Sequence, residues 1–328
     1  MSTILAIDVG GDAIKYALMS SNGVILSKPA SIPTPAVPKD KKYFDKVYAQ
    51  YLDKIAVLFQ TCYLLDKNIE GIAVSHAGIA EDGFMKFGGS IVYVTEKYLQ
   101  NDLSEKCRGL PVTIFNDAKS AAVAELKDGA LVGVNRGACF VFGTAVGCGV
   151  VCDGKVLGGN SGEVSFVSDV SSKEFFGIFG SSTNFAKDLV KKLNLPEGTT
   201  GKDLFEKYMK DKKYADKIDT ALNDYTDKIA VQLLNMHQFY EMEKIAIGGG
   251  FSRQPIFTQK INDSMNKLVG KGSLYANMGF PIKVPEIVPC AYGPEANLVG
   301  ATNYFIKMKR EKARQAVNKI KPEPALLR

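Results

Sequence analysis

One local pattern, a short apolar strand followed by a glycine turn and a second strand, occurs twice and limits the folds open to this chain. The first copy begins at residues 3–7 (TILAI), passes Asp8 and a glycine pair, and continues as IKYALM. The second copy is residues 138–157, ACFVFGTAVGCGVVCDGKVL. A glycine turn between two strands predicts an antiparallel pair. The repetition predicts a protein built from two similar halves.

Strands and helices alternate around both copies. Apolar residues at helical spacing predict a long helix over residues 43–65, and the four prolines of residues 29–38 indicate a surface loop. Further strands are predicted at residues 69–75, 111–115 and 244–247, and further helices after residues 117, 184, 254 and 295.

This alternation predicts an α/β protein with two lobes around a central cleft. The length of 328 residues with 46% hydrophobic side chains is enough for two such cores. We expect the lobes at residues 1–116, completed by a C-terminal helix over residues 305–328, and at residues 117–304.

Charge, cysteine content and hydropathy exclude several classes of protein. The net charge is +6, but basic and acidic residues are mixed, and the basic residues 307–321 indicate a solvated helix face or a contact surface for acidic partners. The six cysteines have no paired spacing, which indicates reduced thiols rather than disulfides or a zinc site. With neither a signal peptide nor a membrane span in the sequence, we expect a cytoplasmic protein.

The two repeated turns are candidate phosphate sites. Gly10 and Gly11 would let backbone amides approach a phosphate, and Asp8 would hold Mg²⁺ directly or through water, although a plain hairpin explains the same residues. In the second turn Gly143 and Gly147 flank the hydroxyl of Thr144. The sequence contains neither a Walker motif nor a dinucleotide-binding fingerprint, so a nucleotide would have to be bound by these turns.

A third glycine cluster follows the strand KIAI. Gly248, Gly249 and Gly250 precede a predicted helix start, where an adenosine would lie on bare backbone. A tight turn from strand to helix is the alternative interpretation.

The tetrapeptide NDAK, residues 116–119, is the candidate catalytic element. Asp117 follows a buried strand and opens an alanine-rich helix, so its carboxylate would accept a proton from a sugar hydroxyl while Asn116 binds the sugar. Asp and Asn are also preferred N-cap residues, and a purely structural cap is the alternative.

The motifs DVGGDAIK, NDAK, FGTAVGCG, GGNSGE and GGGFS stand in the order and spacing of the ROK family of repressors, open reading frames and sugar kinases, and the resemblance extends over residues 4–305. It implies the actin-like ATPase (ribonuclease H-like) fold, ATP and Mg²⁺ as ligands, a small sugar as acceptor, and a homodimer. Asp117 would be the base. The resemblance assigns the ATP phosphates to Gly10, Gly11, Asp12, Lys15, Gly143, Thr144 and Gly147, the adenosine to Gly248–Gly250, and the sugar to Gly89, Ser90, Asn116, Asp117 and Glu163.

The chain departs from the family pattern at three places. Asp12 stands where most family kinases have Thr, and it would repel the phosphates unless Mg²⁺ or Lys15 compensates. Ser165 and Phe166 replace the usual Gly-His, and the cysteine-rich zinc loop is missing, so we expect no zinc site. Family members without that loop include kinases for β-glucosides and for N-acetylmannosamine. Phe166 favours a glycoside with an aglycone or a second ring.

Three functional hypotheses follow. The first is a sugar kinase acting on the 6-hydroxyl of a hexose, an amino sugar or a β-glucoside. The second is a sugar-sensing regulator without its own DNA-binding domain, since only seven residues precede Asp8. The third is an ATP-binding protein without activity, to which Asp12 and the missing histidine would point.

Overall fold

The computed structural model describes residues 2–158, 162–167 and 170–320. Residues 159–161 of the GGNSGE motif and the end of the predicted terminal helix, residues 321–328, therefore lie outside the described residues. The described residues form the strands β1 (Thr3–Val9), β2 (Ala13–Ser20), β3 (Ala30–Pro33), β4 (Ile69–His76), β5 (Ile79–Glu81), β6 (Phe84–Phe87), β7 (Val112–Asn116), β8 (Gly137–Phe142), β9 (Val146–Cys152), β10 (Lys155–Val156), β11 (Lys244–Gly249) and β12 (Glu286–Pro289). They also form the helices α1 (Phe44–Leu65), α2 (Leu99–Lys106), α3 (Asp117–Asp128), α4 (Phe176–Phe179), α5 (Ser182–Lys192), α6 (Gly201–Glu206), α7 (Ala215–Tyr240), α8 (Pro255–Val269), α9 (Leu274–Asn277) and α10 (Ala296–Ile320).

The chain divides into two compact units. The first unit runs to residue 120 and resumes at residue 297, and the second unit is residues 121–296. The domain boundaries drawn from the sequence, after residue 116 and before residue 305, remain predictions.

The first unit is built on a five-stranded sheet in the order β3-β2-β1-β4-β7. All seven residues of β1 are buried, because this strand lies at the centre, antiparallel to β2 and parallel to β4. One side of α1 is buried in the core of this unit, where Tyr51, Ile55 and Phe59 recur at the spacing of helical turns. The predicted long helix is therefore present.

The second unit has a five-stranded sheet in the order β10-β9-β8-β11-β12. Its first strand, β8, is antiparallel to β9 and parallel to β11, as β1 is antiparallel to β2 and parallel to β4. The duplication predicted from the two glycine turns is thus present in the pairing of the strands. The core of this unit includes apolar residues of α7 and α8, among them Ile229, Leu233 and Phe257.

The loop predicted over residues 29–38 is wrong in part, because Ala30–Pro33 forms the edge strand β3. Ile32 pairs with Ile14 of β2, and Pro33 is tolerated because an edge strand has one side without ladder partners. The β5–β6 hairpin, helix α2 and strand β12 were not predicted. Among the described residues, no helix has the length and apolar character that crossing a bilayer requires.

Candidate active site

Asp8, the proposed metal-binding carboxylate, lies near the end of β1 and is almost fully buried. Its Oδ1 accepts hydrogen bonds from Ser75 Oγ (2.9 Å) and Asn297 Nδ2 (3.0 Å). Lys15 Nζ lies 3.6 Å from Oδ2, because Lys15 is opposite Asp8 in the antiparallel β1–β2 pair. The partners on three elements fix the direction of the carboxylate.

The first glycine turn joins β1 to β2 and is closed by a hydrogen bond from Gly10 N to Ala13 O of 3.0 Å. Thr34 anchors it from the next segment, donating Oγ1 to Gly10 O (2.7 Å) and N to Asp12 O (3.1 Å). A Cβ on Gly11 would lie 3.3 Å from Ser90 Oγ. The structure therefore places the candidate phosphate turn beside the candidate sugar loop.

Ser90 and Gly89 belong to the loop after β6, which packs closely on the loop after β4. Gly89 has φ +60°, and a Cβ there would lie 2.9 Å from Gly78 N. A Cβ on Gly78, whose φ is +93°, would overlap Phe87 O. Asn116 Nδ2 donates to Gly78 O at 2.9 Å. Gly89 and Asn116, two of the predicted sugar residues, thus contact the same short segment.

Asn116, and not Asp117, acts as the cap of α3. Its Oδ1 accepts from Lys119 N at 3.1 Å, and its carbonyl accepts from Ser120 Oγ at 2.9 Å. Asp117 is the first residue of α3, is half-buried, and accepts a hydrogen bond from Ala118 N at 2.8 Å. Asn116 thus provides the N-cap that was the alternative interpretation of this motif. The start of α3 therefore does not require an acidic residue at position 117.

Two buried basic groups, His76 and Lys119, flank this end of the sheet, and burial lowers the pKa of each. His76 is opposite Asn116 in the β4–β7 pair, and its Nδ1 lies 2.6 Å from Ala77 O. Complete burial lowers the pKa of His76 to about 4, while the hydrogen bond to Ala77 opposes that shift. Burial also lowers the pKa of Lys119.

The second glycine turn, between β8 and β9, is held by the start of α5. Ser181 Oγ and Thr183 N both donate to Gly143 O, at 3.0 and 3.2 Å. Thr144 is exposed at the tip of the turn. Farther along, Gly147 forms an isolated antiparallel bridge with Glu163. The predicted phosphate residue Gly147 and the predicted sugar residue Glu163 are therefore neighbours.

The third glycine turn adjoins the second, because β8 and β11 are neighbouring parallel strands that end together. Gly249 is opposite Phe142 in that pair, has φ +98°, and a Cβ there would overlap Phe142 O. Gly250 differs from it. Its φ is −61°, and a Cβ there would meet no atom within 4 Å.

The predicted site residues thus form one group in each unit. Ser75, Thr34 and Asn297, which orient Asp8 and the first turn, were not predicted. Asn297 lies just after residue 295, where the sequence predicts a helix to begin, but only the fold shows that its side chain contacts Asp8. The described residues contain no group of three or more His, Cys, Asp or Glu arranged to hold a metal. The first group comprises Asp8, Gly10, Gly11, Asp12, Lys15, Gly89, Ser90, Asn116 and Asp117, and the second comprises Gly143, Thr144, Gly147, Glu163, Gly248, Gly249 and Gly250.

Comparison with known proteins gives the family and the fold. A family model described as the ROK family matches residues 4–166. The β-glucoside kinase of Listeria innocua is 24% identical over 317 residues, which cover 93% of this chain and 97% of that protein.

Two solved structures resemble the fold. A ROK family protein from Streptococcus pneumoniae in complex with sucrose has a TM-score of 0.73 at 23% identity, covering 94% of this chain and 99% of that one. A ROK family glucokinase from Streptomyces griseus in complex with glucose and AMPPNP has a TM-score of 0.70 at 20% identity, covering 92% and 99%. The predicted fold class is confirmed, and the chain belongs to the ROK family with the actin-like α/β ATPase fold.

Proposed function

We propose that the chain is an ATP-dependent sugar kinase that transfers the γ-phosphoryl group of ATP to a hydroxyl of a small sugar. The observation that carries the proposal is the conformation of Gly143 and Gly250. Neither has a positive φ, and a Cβ on Gly143 would meet only Ala145 O at 3.9 Å. The fold therefore has room for a side chain at both positions, and bare backbone there is explained by a ligand that approaches it closely.

Asp117 is the base of the proposed reaction. Its carboxylate takes the proton of the attacking sugar hydroxyl as that oxygen bonds to the γ-phosphorus, and the bond from phosphorus to the bridging oxygen of ADP breaks. Asn116 and Gly89 meet at the loop after β4, which fixes the sugar-binding elements relative to one another. Positioning of the two substrates contributes most of the rate enhancement, as in other phosphoryl transfers.

Asp8 fits the part of a single carboxylate in Mg²⁺ binding. Mg²⁺ is usually held by one or two carboxylates, phosphate oxygens and several waters, and needs no cage of protein ligands. Ser75 and Asn297 hold Oδ1 of Asp8 in one direction, and Lys15 approaches Oδ2 from the neighbouring strand. Asp8 would bind the ion directly or through a water, and the ion would reduce the negative charge of the phosphates.

The acceptor is proposed to be a hexose, an amino sugar or a β-glucoside, phosphorylated at the 6-hydroxyl. Phe166 is 42% exposed, while its carbonyl accepts a hydrogen bond from Phe176 N at 2.7 Å. The ring thus offers an apolar surface three residues after Glu163. This surface favours a glycoside with a second ring or an apolar aglycone, in line with the named activity of the Listeria relative.

The test is an ADP-release assay with glucose, N-acetylmannosamine and cellobiose as acceptors. In the variant Asp117→Asn we expect sugar binding to persist and turnover to fall by about 10²-fold or more. Asp128→Asn is the matched control, since it makes the same change at the exposed last residue of α3 and should leave turnover unchanged. Near-normal activity of Asp117→Asn would refute the assignment.

The same assay separates the kinase from the inactive protein to which Asp12 would point. Nucleotide binding with no ADP release for any acceptor would favour that alternative.

A gel-shift experiment with and without sugar tests the hypothesis of a regulator, and we expect no DNA binding in either condition. We further propose a cytoplasmic homodimer that binds neither nucleic acid nor membrane, and light scattering would test the dimer.

A further inference from the structure

Glu125 is a fully buried carboxylate in the third turn of α3 with no part in the proposed chemistry. Its Oε2 accepts from Ala130 N at 2.7 Å and from Ala291 N at 3.0 Å, and its Oε1 accepts from Tyr292 N at 2.8 Å. A buried carboxylate is costly unless its oxygens are hydrogen-bonded, and here three backbone N–H groups meet that requirement. Two of the three come from the segment of residues 290–293.

That segment runs along the third glycine turn. Cys290 N donates to Ile247 O at 2.9 Å, which continues the pairing of β12 with β11. Cys290 Sγ lies 3.2 Å from the position of a Cβ on Gly248, so the thiol packs above the first glycine of the turn. At its far end, the position of a Cβ on Gly293 is 3.6 Å from Nη2 of Arg253. The segment therefore flanks the turn from Gly248 to the short helix that follows Gly250.

The thiol of Cys290 connects this segment to β8. Its Sγ is 3.6 Å from that of Cys139 on β8. The hydrogen bond to Cys139 and burial raise the pKa of Cys290, so the thiol remains uncharged near Glu125. The backbone pairing of Cys290 joins the segment to β11, and the two hydrogen bonds to Glu125 join it to α3.

We propose that Glu125 is a positioning residue for the nucleotide, because it holds residues 290–293 as a wall of the adenosine site beside Gly248–Gly250. This inference rests on the proposed function, which places the adenosine at that turn. Glu125 does not touch the ligand. Its effect is on nucleotide affinity, and it should leave the affinity for the sugar unchanged.

The test is the variant Glu125→Gln, with AMPPNP binding measured by calorimetry in the absence of sugar. The amide replaces one acceptor oxygen by an NH₂ group, which must face a backbone N–H donor. We expect the Kd for AMPPNP to rise about tenfold or more, while the KM for the sugar changes less than about twofold. A purely structural role would lower both affinities together or leave both unchanged.

Glu243→Gln is the matched control in the same unit. Glu243 also accepts two backbone N–H groups, from Asn135 and Arg136 at 3.2 Å, but it precedes β11 and lies at the opposite end of that strand from the glycines. It should leave the Kd for AMPPNP unchanged. If Glu125→Gln does not fold, Glu125→Asp makes the same comparison with the charge retained and the reach shortened.

An unchanged Kd for AMPPNP in a folded Glu125 variant overturns the inference, and so does an equal rise in the Glu243 variant. Failure of the proposed function would give a different result, because the wild-type protein itself would then bind no AMPPNP or phosphorylate no sugar.

Discussion

The glycines at positions 249 and 250 are adjacent, yet the structure predicts opposite consequences for replacing them with alanine. Gly250 lies in the right-handed helical region at φ −61° and ψ −39°, with open space where a Cβ would be. Gly250→Ala should therefore leave the free energy of unfolding unchanged or raise it by about 0.4–1 kcal/mol, because alanine restricts the unfolded chain. Its effect should appear in ligand binding.

The methyl group of Gly250→Ala would stand on the backbone face that the nucleotide is proposed to approach. We expect the Kd for AMPPNP to rise about tenfold, which is about 1.4 kcal/mol. Gly249→Ala is the structural counterpart. At φ +98° any side chain is strained, and the methyl would overlap the backbone of Phe142, so this variant should lose more than about 3 kcal/mol of stability.

Urea denaturation measures the stability of both variants, and calorimetry with AMPPNP measures binding. The sugar KM of Gly250→Ala serves as the internal control, since the predicted sugar residues lie elsewhere. If Gly250→Ala binds AMPPNP as tightly as wild type does, the reasoning is refuted. Neither the backbone conformation nor the packing requires glycine at this position, and a bound nucleotide would then not explain it either.

Three further results are expected. The pKa of His76 is about 4 in the folded protein and 6.5 in the unfolded chain. The neutral form of His76 therefore contributes stability that is fully present above pH 6.5 and is lost as the pH falls to about 4. The total loss is roughly 3 kcal/mol. Urea titrations at pH 7 and pH 4.5 should show that the free energy of unfolding falls less between these pH values in His76→Gln than in wild type. An equal fall in both proteins would contradict His76 as the cause. Asp12→Thr removes an exposed negative charge from the first turn and should lower the KM for ATP roughly fivefold, whereas an unchanged KM would place Asp12 away from the phosphates. Phe166→Ala should reduce kcat/KM for cellobiose more than for glucose, and an equal reduction for both would exclude a contact with the second ring.

The elements that could be predicted from sequence depend on local patterns. Both copies of the strand, turn and strand unit are hairpins, so sheet pairing within each copy involves residues close in sequence. The helix over residues 44–65 was visible because its apolar residues recur at a fixed spacing. The motif NDAK was also local, since the end of β7 and the start of α3 are consecutive.

What could not be predicted depends on partners distant in the chain. Strand β3 exists because Ile32 pairs with Ile14, whereas Pro33 and the prolines on either side of the strand indicated a loop. Asn297 contacts Asp8 across 289 positions, and no pattern in either segment indicates that pairing. The sequence also left open which residue caps α3, and only the hydrogen bond from Lys119 N shows that it is Asn116. The role of Asn116 in sugar binding stays a prediction.

The duplicated sheets also explain why the two groups of candidate residues differ in chemistry. In each unit the turn between the first two strands adjoins the loop that follows a parallel neighbour, which is β4 in the first unit and β11 in the second. The first unit adds polar side chains there, from Ser90 and Asn116, and side chains of this kind can distinguish the hydroxyls of a sugar. The second unit has Gly249 and Gly250 at that place, so it offers bare backbone, with open space at Gly250, and such a surface suits phosphate and a flat base. One architecture, used twice, therefore has polar side chains at this place in the first unit, where we propose the acceptor, and bare backbone in the second unit, where we propose the adenosine.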